Sequence, residues 1–283
     1  MARHPLAPAA SPAEKVTPVT RVAPVIAWAA LVLALAGAGA LWLDLTGGSP
    51  GDLSPAVLLV AYSPALAAIA VTAVVDRGAG VRALLGQLLH WHAAPGWYLL
   101  AALGPFALAL AAAAAVAGWA GAPAAWVVVP DLTGFLVLLG PLIAGSLGEE
   151  LGWRGFGQAR LQRRAGALLA AVAIGVLWSV WHLWIVLTPD GAAQVDAVDV
   201  AQTFVRLIAT AVLYAWLYNA SGGRLSVVLV AHAAHNLAID TVAPGVIDTP
   251  AGSLILAGSH LLAALVVIAA TRGRLGLARP ERG

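Results

Sequence analysis

Long apolar runs separated by short polar connections dominate this chain. The first extends from Ala23 to Leu43, and further runs cover residues 55–75, 96–119, 132–153, 166–187, 203–220, 225–242 and 252–271. Each is close to the roughly 20 residues that a helix needs to cross a bilayer core. The pattern predicts an all-α polytopic membrane protein, a bundle of about eight transmembrane helices. The apolar/polar alternation of a β-barrel is absent. Residues 1–22 carry Pro5, Pro8, Pro12 and Pro18 among scattered charges and read as a disordered cytoplasmic tail. The run behind that tail is longer than the roughly 7–15 residues of a signal-peptide core, so it reads as a first span. The membrane domain is therefore 23–272, followed by a short cytoplasmic tail at 273–283.

Charge supports the count of spans. Alternate connections hold Arg3, Lys15 and Arg21; Arg77 and Arg82; Arg160, Arg163 and Arg164; Arg224; and Arg272, Arg274, Arg279 and Arg282. The others hold Asp44 and Asp52; Asp131; Asp190, Asp196 and Asp199; and Asp240 and Asp248. The positive-inside rule then places both termini in the cytoplasm of a cell whose plasma (inner) membrane holds the protein. Arg206 is the exception, a basic residue on the acidic side, expected to snorkel or to pair with Asp199. Residues 78–92, with Arg82, Leu84, Leu85, Leu88 and Leu89, predict an interfacial amphipathic helix on the cytoplasmic side.

Composition changes little in this picture. The chain is 61% hydrophobic and 10% charged, against about 45–50% and about 25% in soluble domains. Cysteine is absent, which excludes disulfides, thiol nucleophiles and Cys-ligated zinc. The basic pI of about 9.4 follows from arginines gathered at one membrane face, so no nucleic-acid partner is expected. The expected partners are the lipid bilayer and a peptide or protein substrate. Glycines such as Gly37 and Gly39 read as helix contacts, not phosphate cradles.

Three polar clusters interrupt the apolar runs: Gly148-Glu149-Glu150-Leu151-Gly152-Trp153-Arg154, Trp178-Ser179-Val180-Trp181-His182, and His232-Ala233-Ala234-His235-Asn236. Ionisable groups inside a membrane are costly and mark function. If the fourth and fifth spans form a hairpin turning near Arg164 and Ala165, Glu149 and His182 stand at similar heights. This requires the fourth helix to run on to about Leu161. His232 then lies about 12 Å, and Asn236 about 18 Å, along the seventh span. The clusters are expected to meet in the cytoplasmic half of the bilayer. Residues four apart share a helix face, so Glu150 and Arg154 are expected to pair, leaving Glu149 without a partner in its own helix. His232 and Asn236 share a face that Asp240 continues. His235 is expected to pack beside that stripe, His260 to be a lone structural residue, and Trp153 and Trp181 to wall the site.

The chemistry that fits is hydrolysis. Glu149, helped by His182, can take a proton from water attacking a peptide carbonyl, while His232 and Asn236 donate to the oxyanion. Alternatively Glu149, His182 and His232 bind zinc with a position left for water. The metal-free version is favoured, because Asn236 has less to do beside a metal that already polarises the carbonyl.

At these residues the sequence resembles the CAAX protease and bacteriocin-processing (CPBP, or Abi) intramembrane endopeptidases. The family pattern is Glu-Glu-x-x-x-Arg, an aromatic residue four before a His, and His-x-x-x-Asn. Here these read Glu149-Glu150 with Arg154, Trp178 with His182, and His232 with Asn236, within about 130–240. Trp178 stands where Phe is commoner. The resemblance implies an eight-helix fold, access from the cytoplasm, proteolysis within the membrane and a catalytic first glutamate. The family is described both as metalloproteases and as glutamate-dependent hydrolases. The rival from another class is a non-catalytic bacteriocin-immunity or scaffold protein of the same fold, with a proton-coupled transporter third.

Overall fold

The computed structural model describes residues 23–51, 54–120, 132–188, 196–242 and 249–277. The tail expected at 1–22 and most of the one expected at 273–283 lie outside the described residues. Among the described residues all regular structure is helical: α1 (Ala23–Leu45), α2 (Pro55–Val75), α3 (Arg77–Gly86), α4 (Pro95–Ala120), α5 (Leu132–Glu150), α6 (Ala159–His182), α7 (Ala197–Ala220), α8 (Leu225–Thr241) and α9 (Pro250–Thr271). A π-helical stretch, Leu151–Gln158, joins α5 to α6, and a 3-10 stretch, Leu183–Leu187, ends α6. The protein is a polytopic helical membrane protein.

Local chemistry sets several boundaries. Ser54 caps α2 by accepting the Val57 N–H at 3.3 Å, with Pro55 in the first turn. Thr249 and Pro250 do the same for α9. α7 begins earlier than the expected 203, because Asp196 and Asp199 form a reciprocal capping box around its first turn. Asp199 is thereby engaged with the backbone at the helix start. The interfacial segment is short: α3 gives way to a 3-10 turn at Gln87–Leu89, with Leu84 buried and Leu89 exposed.

Six helical stretches are long and apolar enough to cross a membrane, and α8 is a shorter apolar helix. One of the six, Leu142–Val186, is 45 residues long, about 67 Å if it were straight. It is not straight. Gly166 has φ 77° and ψ 168°, a conformation open to glycine and strained for other residues. The chain reverses there, and the fourth helix runs past Leu161 to that turn, as the hairpin requires. Glu149 and Trp178, 29 residues apart in sequence, are hydrogen-bonded; a continuous helix would separate them by about 43 Å.

α2 braces the hairpin. Pro64 lies inside α2 and has no N–H, so the Val60 carbonyl loses its helical donor. The Ser63 hydroxyl donates to that carbonyl at 2.7 Å and in turn accepts the Trp181 indole N–H at 2.9 Å. The Pro64 carbonyl accepts the Trp28 indole N–H at 3.1 Å. Gly152 lies against this same point, where a Cβ would overlap the Pro64 backbone. α1, α2 and the π segment are thus locked together on one side, while α7 and α8 close the other.

Candidate active site

The π segment begins immediately after Glu150 and carries Trp153 and Arg154. A π turn is wider than an α turn and is frequently found at functional sites. Here it swings the side chains of one short stretch into a single buried cluster. All eight of its residues, Leu151 to Gln158, are buried.

Glu150 and Arg154 pair as expected, at 2.8 Å between Oε1 and the guanidinium, with both side chains inaccessible. The same Oε1 accepts the Nδ1–H of His232 at 2.8 Å. A carboxylate only accepts, so the Nδ1 proton is fixed on the imidazole and Nε2 is turned to the opposite side. The Arg154 guanidinium lies 5.0 Å from the ring centres of both Trp178 and Tyr214. Glu150 therefore acts on His232 as an orienting group, and Arg154 offsets its charge.

Glu149 is placed differently. Its Oε2 accepts two indole N–H groups, from Trp178 at 2.6 Å and from Trp153 at 3.3 Å. The expectation that it has no partner in its own helix needs correcting, since Trp153 is four residues on. Both donors are neutral, so neither cancels its charge as Arg154 does for Glu150. Glu149 Oε1 lies 3.8 Å from His232 Nε2. The two atoms face one another across a gap wider than a direct hydrogen bond.

His182 Nδ1 lies 2.9 Å from the Trp178 carbonyl. A carbonyl oxygen only accepts, so Nδ1 carries the proton and Nε2 the lone pair. The ring rests on the edges of Trp178 and Trp181, at 5.6 and 4.8 Å between centroids. Trp181 thus backs the His182 ring and Trp153 bonds Glu149, but of the tryptophans it is Trp178 that lines the cavity, not the expected pair. His235 stacks edge-on against His260 at 5.2 Å, so the single histidine of the last span packs against α8.

Glu149, His182, His232 and Asn236 line one cavity of about 280 Å³. Trp178, Arg206, Leu207, Leu142, Ile239 and Asp240 complete most of its wall. Sequence reasoning missed two contributors. Tyr214, 5.7 Å from the His232 ring, carried no signal beyond being a tyrosine in an apolar run. Arg206 was visible as the misplaced basic residue, and the structure puts it in the cavity wall.

A catalytic zinc site needs three protein ligands around one point. Among the described residues no three His, Cys, Asp or Glu side chains are grouped so as to hold a metal ion. His232 has Nδ1 committed to Glu150, and its Nε2 is the nitrogen facing Glu149. As placed among the described residues they form no three-ligand group, although a histidine with Nδ1 on a carboxylate and Nε2 turned outward has the orientation of a metal ligand.

The direction of the cavity was not expected. Arg154 and the π segment close it toward the arginine-bearing turn, where the Gln87 amide also bonds the Gly155 carbonyl. Its other lining residues, Leu142, Arg206, Ile239 and Asp240, lie toward the helix ends that carry the acidic connections. Arginines inside and access from the cytoplasm are therefore competing expectations for this bundle.

The geometry defines an integral membrane protein with a buried carboxylate–imidazole cluster at the centre of a helical bundle. Residues 131–238 match the family described as type II CAAX prenyl endopeptidase Rce1-like. This segment contains every residue of the three motifs and nearly coincides with the 130–240 expected to carry them, so the resemblance is borne out. The chain is also similar to CAAX prenyl protease 2 of Methanococcus maripaludis, at 40% identity over 50 residues. That alignment spans 18% of this chain and 18% of the relative.

Proposed function

We propose that this protein is an intramembrane endopeptidase that hydrolyses peptide bonds with a water activated by Glu149 and His182. The observation that carries the reading is the asymmetry of the two neighbouring carboxylates. Glu150 is neutralised by Arg154 and tied to His232, whereas Glu149 accepts hydrogen bonds only from two neutral indoles and turns Oε1 toward His232 Nε2 at 3.8 Å, too far for a direct bond. A structural ion pair needs the first arrangement and has no use for the second.

In this mechanism water lies between Glu149 Oε1 and the substrate carbonyl carbon. Glu149 takes one proton as the water oxygen bonds to that carbon, and the carbonyl oxygen gains the negative charge. His182, with its lone pair on Nε2, orients the water by accepting its second hydrogen. The Asn236 amide and a protonated His232 Nε2 donate to the oxyanion. Collapse of the intermediate breaks the C–N bond, and the proton on Glu149 passes to the departing amine. Trp178 and Trp153 hold Oε2, which leaves Oε1 as the atom that works.

The substrate is read as a membrane-associated or CAAX-like peptide, by analogy with what the matching family and relative are described as cleaving. The test is cleavage of such peptides by purified protein in detergent or vesicles, run beside Glu149→Gln. Cleavage lost in that variant, with the thermal transition kept, supports the reading. Equal cleavage by both proteins would replace it with the immunity or scaffold reading.

A further inference from the structure

A second cavity, of about 340 Å³, lies between α4, α7, α8 and α9. That falls in the roughly 300–1,000 Å³ of small-ligand sites. One side of it is formed by Gly104 and by Pro105 inside α4. The nearest atom to a Cβ at Gly104 would be Leu100 Cδ1, at 3.8 Å, so the glycine leaves that side open. Leu100 and Val266 line the cavity and are 42% and 59% exposed on the outside of the bundle. In a membrane that outside is lipid, so the cavity is entered from the bilayer.

The hydroxyls of its wall are engaged. Thr210 donates to the Arg206 carbonyl at 2.8 Å and Tyr214 to the Ala231 carbonyl at 3.3 Å. His260 is different. It is 1% exposed, and its Nδ1 lies 2.9 Å from the Leu256 carbonyl. A carbonyl only accepts, so Nδ1 holds the proton and Nε2 the lone pair. Nε2 is buried and has no hydrogen-bond partner among the described residues. A buried acceptor left unmet is destabilising and calls for a donor. His235, which stacks on His260, is the residue common to this cavity and the one that holds Glu149. It is also the neighbour of Asn236 in α8.

These features define an occupant. It comes from the lipid phase, and the small volume suits one chain rather than two. It ends in a hydrogen-bond donor. A carboxylate would bring charge into an apolar wall and no donor, whereas a hydroxyl brings the donor alone. We infer that this cavity is a second ligand site, for a single-chain lipid whose hydroxyl head donates to His260. Bound there, the lipid fixes the His260–His235 contact behind Asn236 and raises kcat in the neighbouring cavity. The binding stands apart from the endopeptidase reading above; the effect on kcat rests on it.

The test places full-length parent, H260F and G104L in phosphatidylcholine vesicles with dodecanol or with its methyl ether, which lacks the donor. His260→Phe keeps a ring and deletes Nε2, and Gly104→Leu fills the open side. In the parent, dodecanol should raise the thermal transition. It should bind about tenfold more tightly than the ether, the scale of one hydrogen bond. In H260F that ratio should fall to one, and in G104L both compounds should lose binding. Each ratio is taken within one variant, so a change in basal stability does not enter it. A photoreactive dodecanol should label α4 and α9 of the parent. Dodecanol should also raise the parent's kcat about fivefold, at the low end of allosteric couplings, and leave both variants at their basal rate. Equal binding of alcohol and ether by the parent overturns the inference and leaves an apolar recess open to any chain. Dodecanol that competes with the peptide, raising KM alone, makes the cavity part of the substrate site and also overturns it. A parent that cleaves no peptide removes the endopeptidase reading and the kcat effect, while the binding ratios still decide the site.

Discussion

The indole N–H of Trp178 donates to Glu149 Oε2 at 2.6 Å, joining the two arms of a hairpin that turns at Gly166. The bond makes the position of the carboxylate depend on the fifth span as well as its own. Replacing Trp178 by Phe keeps the aromatic wall and deletes the donor. Loss of one hydrogen bond to a buried charged group costs about 1–3 kcal/mol. W178F should therefore stay folded, with kcat reduced roughly 10- to 100-fold if the loss falls on the positioned carboxylate. Activity and thermal unfolding measured on the same preparation decide this; unchanged kcat would show that Trp153 alone is enough to hold Glu149.

Glu149→Gln keeps the volume and both indole bonds but cannot take a proton. Cleavage should fall by at least the roughly 10²–10⁴-fold ascribed to a general base, with the thermal transition within a few degrees of the parent. Asn236→Ala should cost about 10²–10³ in kcat, the scale for one oxyanion donor. A loss confined to KM would place Asn236 in substrate binding instead.

Arg154→Ala should act on stability. It leaves Glu150 buried with His232 as its remaining partner, and breaking a buried pair from one side costs about 3–5 kcal/mol. Arg154→Ala combined with Glu150→Gln should recover much of that loss, because the stranded charge is gone. Thermal unfolding of the single and double variants reads this directly. A double variant no more stable than R154A would mean that the packing of Arg154 between Trp178 and Tyr214 matters more than its charge.

How far the chain could be read in advance varies with the kind of signal. The bounds of α2 coincide with the apolar run at 55–75, because a Ser-Pro cap and a charged residue, Asp76, mark its ends. The basic turn near Arg164 was legible from charge, and its glycine supplies the reversal. Contacts between spans were not legible. Nothing in the spacing of Glu149, Trp153 and Trp178 says that two indoles meet one carboxylate oxygen. The π segment had a faint signal in Gly152, Gly155 and Gly157, three glycines packed behind the carboxylates, but periodicity is blind to one extra residue per turn. The start of α7 was missed at Asp196, since apolar runs mark the buried part of a helix and not its cap.

Membrane orientation can be decided cleanly because the chain has no native cysteine. Single cysteines at Ser49 and Ser253 should react with an impermeant maleimide added outside intact cells, and one at Gly222 only after permeabilisation. A cysteine at Asp240, in the cavity wall, should then be reached from outside. If Gly222→Cys is the one labelled on intact cells, the arginine-bearing ends face outward and the cavity leads to the cytoplasm.

The four-residue offset between Glu150 and Arg154 also bears on how the protein is made. The chain emerges from the ribosome N-terminus first, so the helix carrying both glutamates is handed to the bilayer before α8 and its His232 exist. At that moment Glu150 has no histidine to lean on. Arg154, one turn away in the same newborn helix, neutralises it from the start and lightens the burden on the insertion machinery. Glu149 enters with only the neutral Trp153 indole beside it in its own stretch, and waits for the next span to deliver Trp178. The residue proposed to activate water is thus the one its biosynthesis protects least.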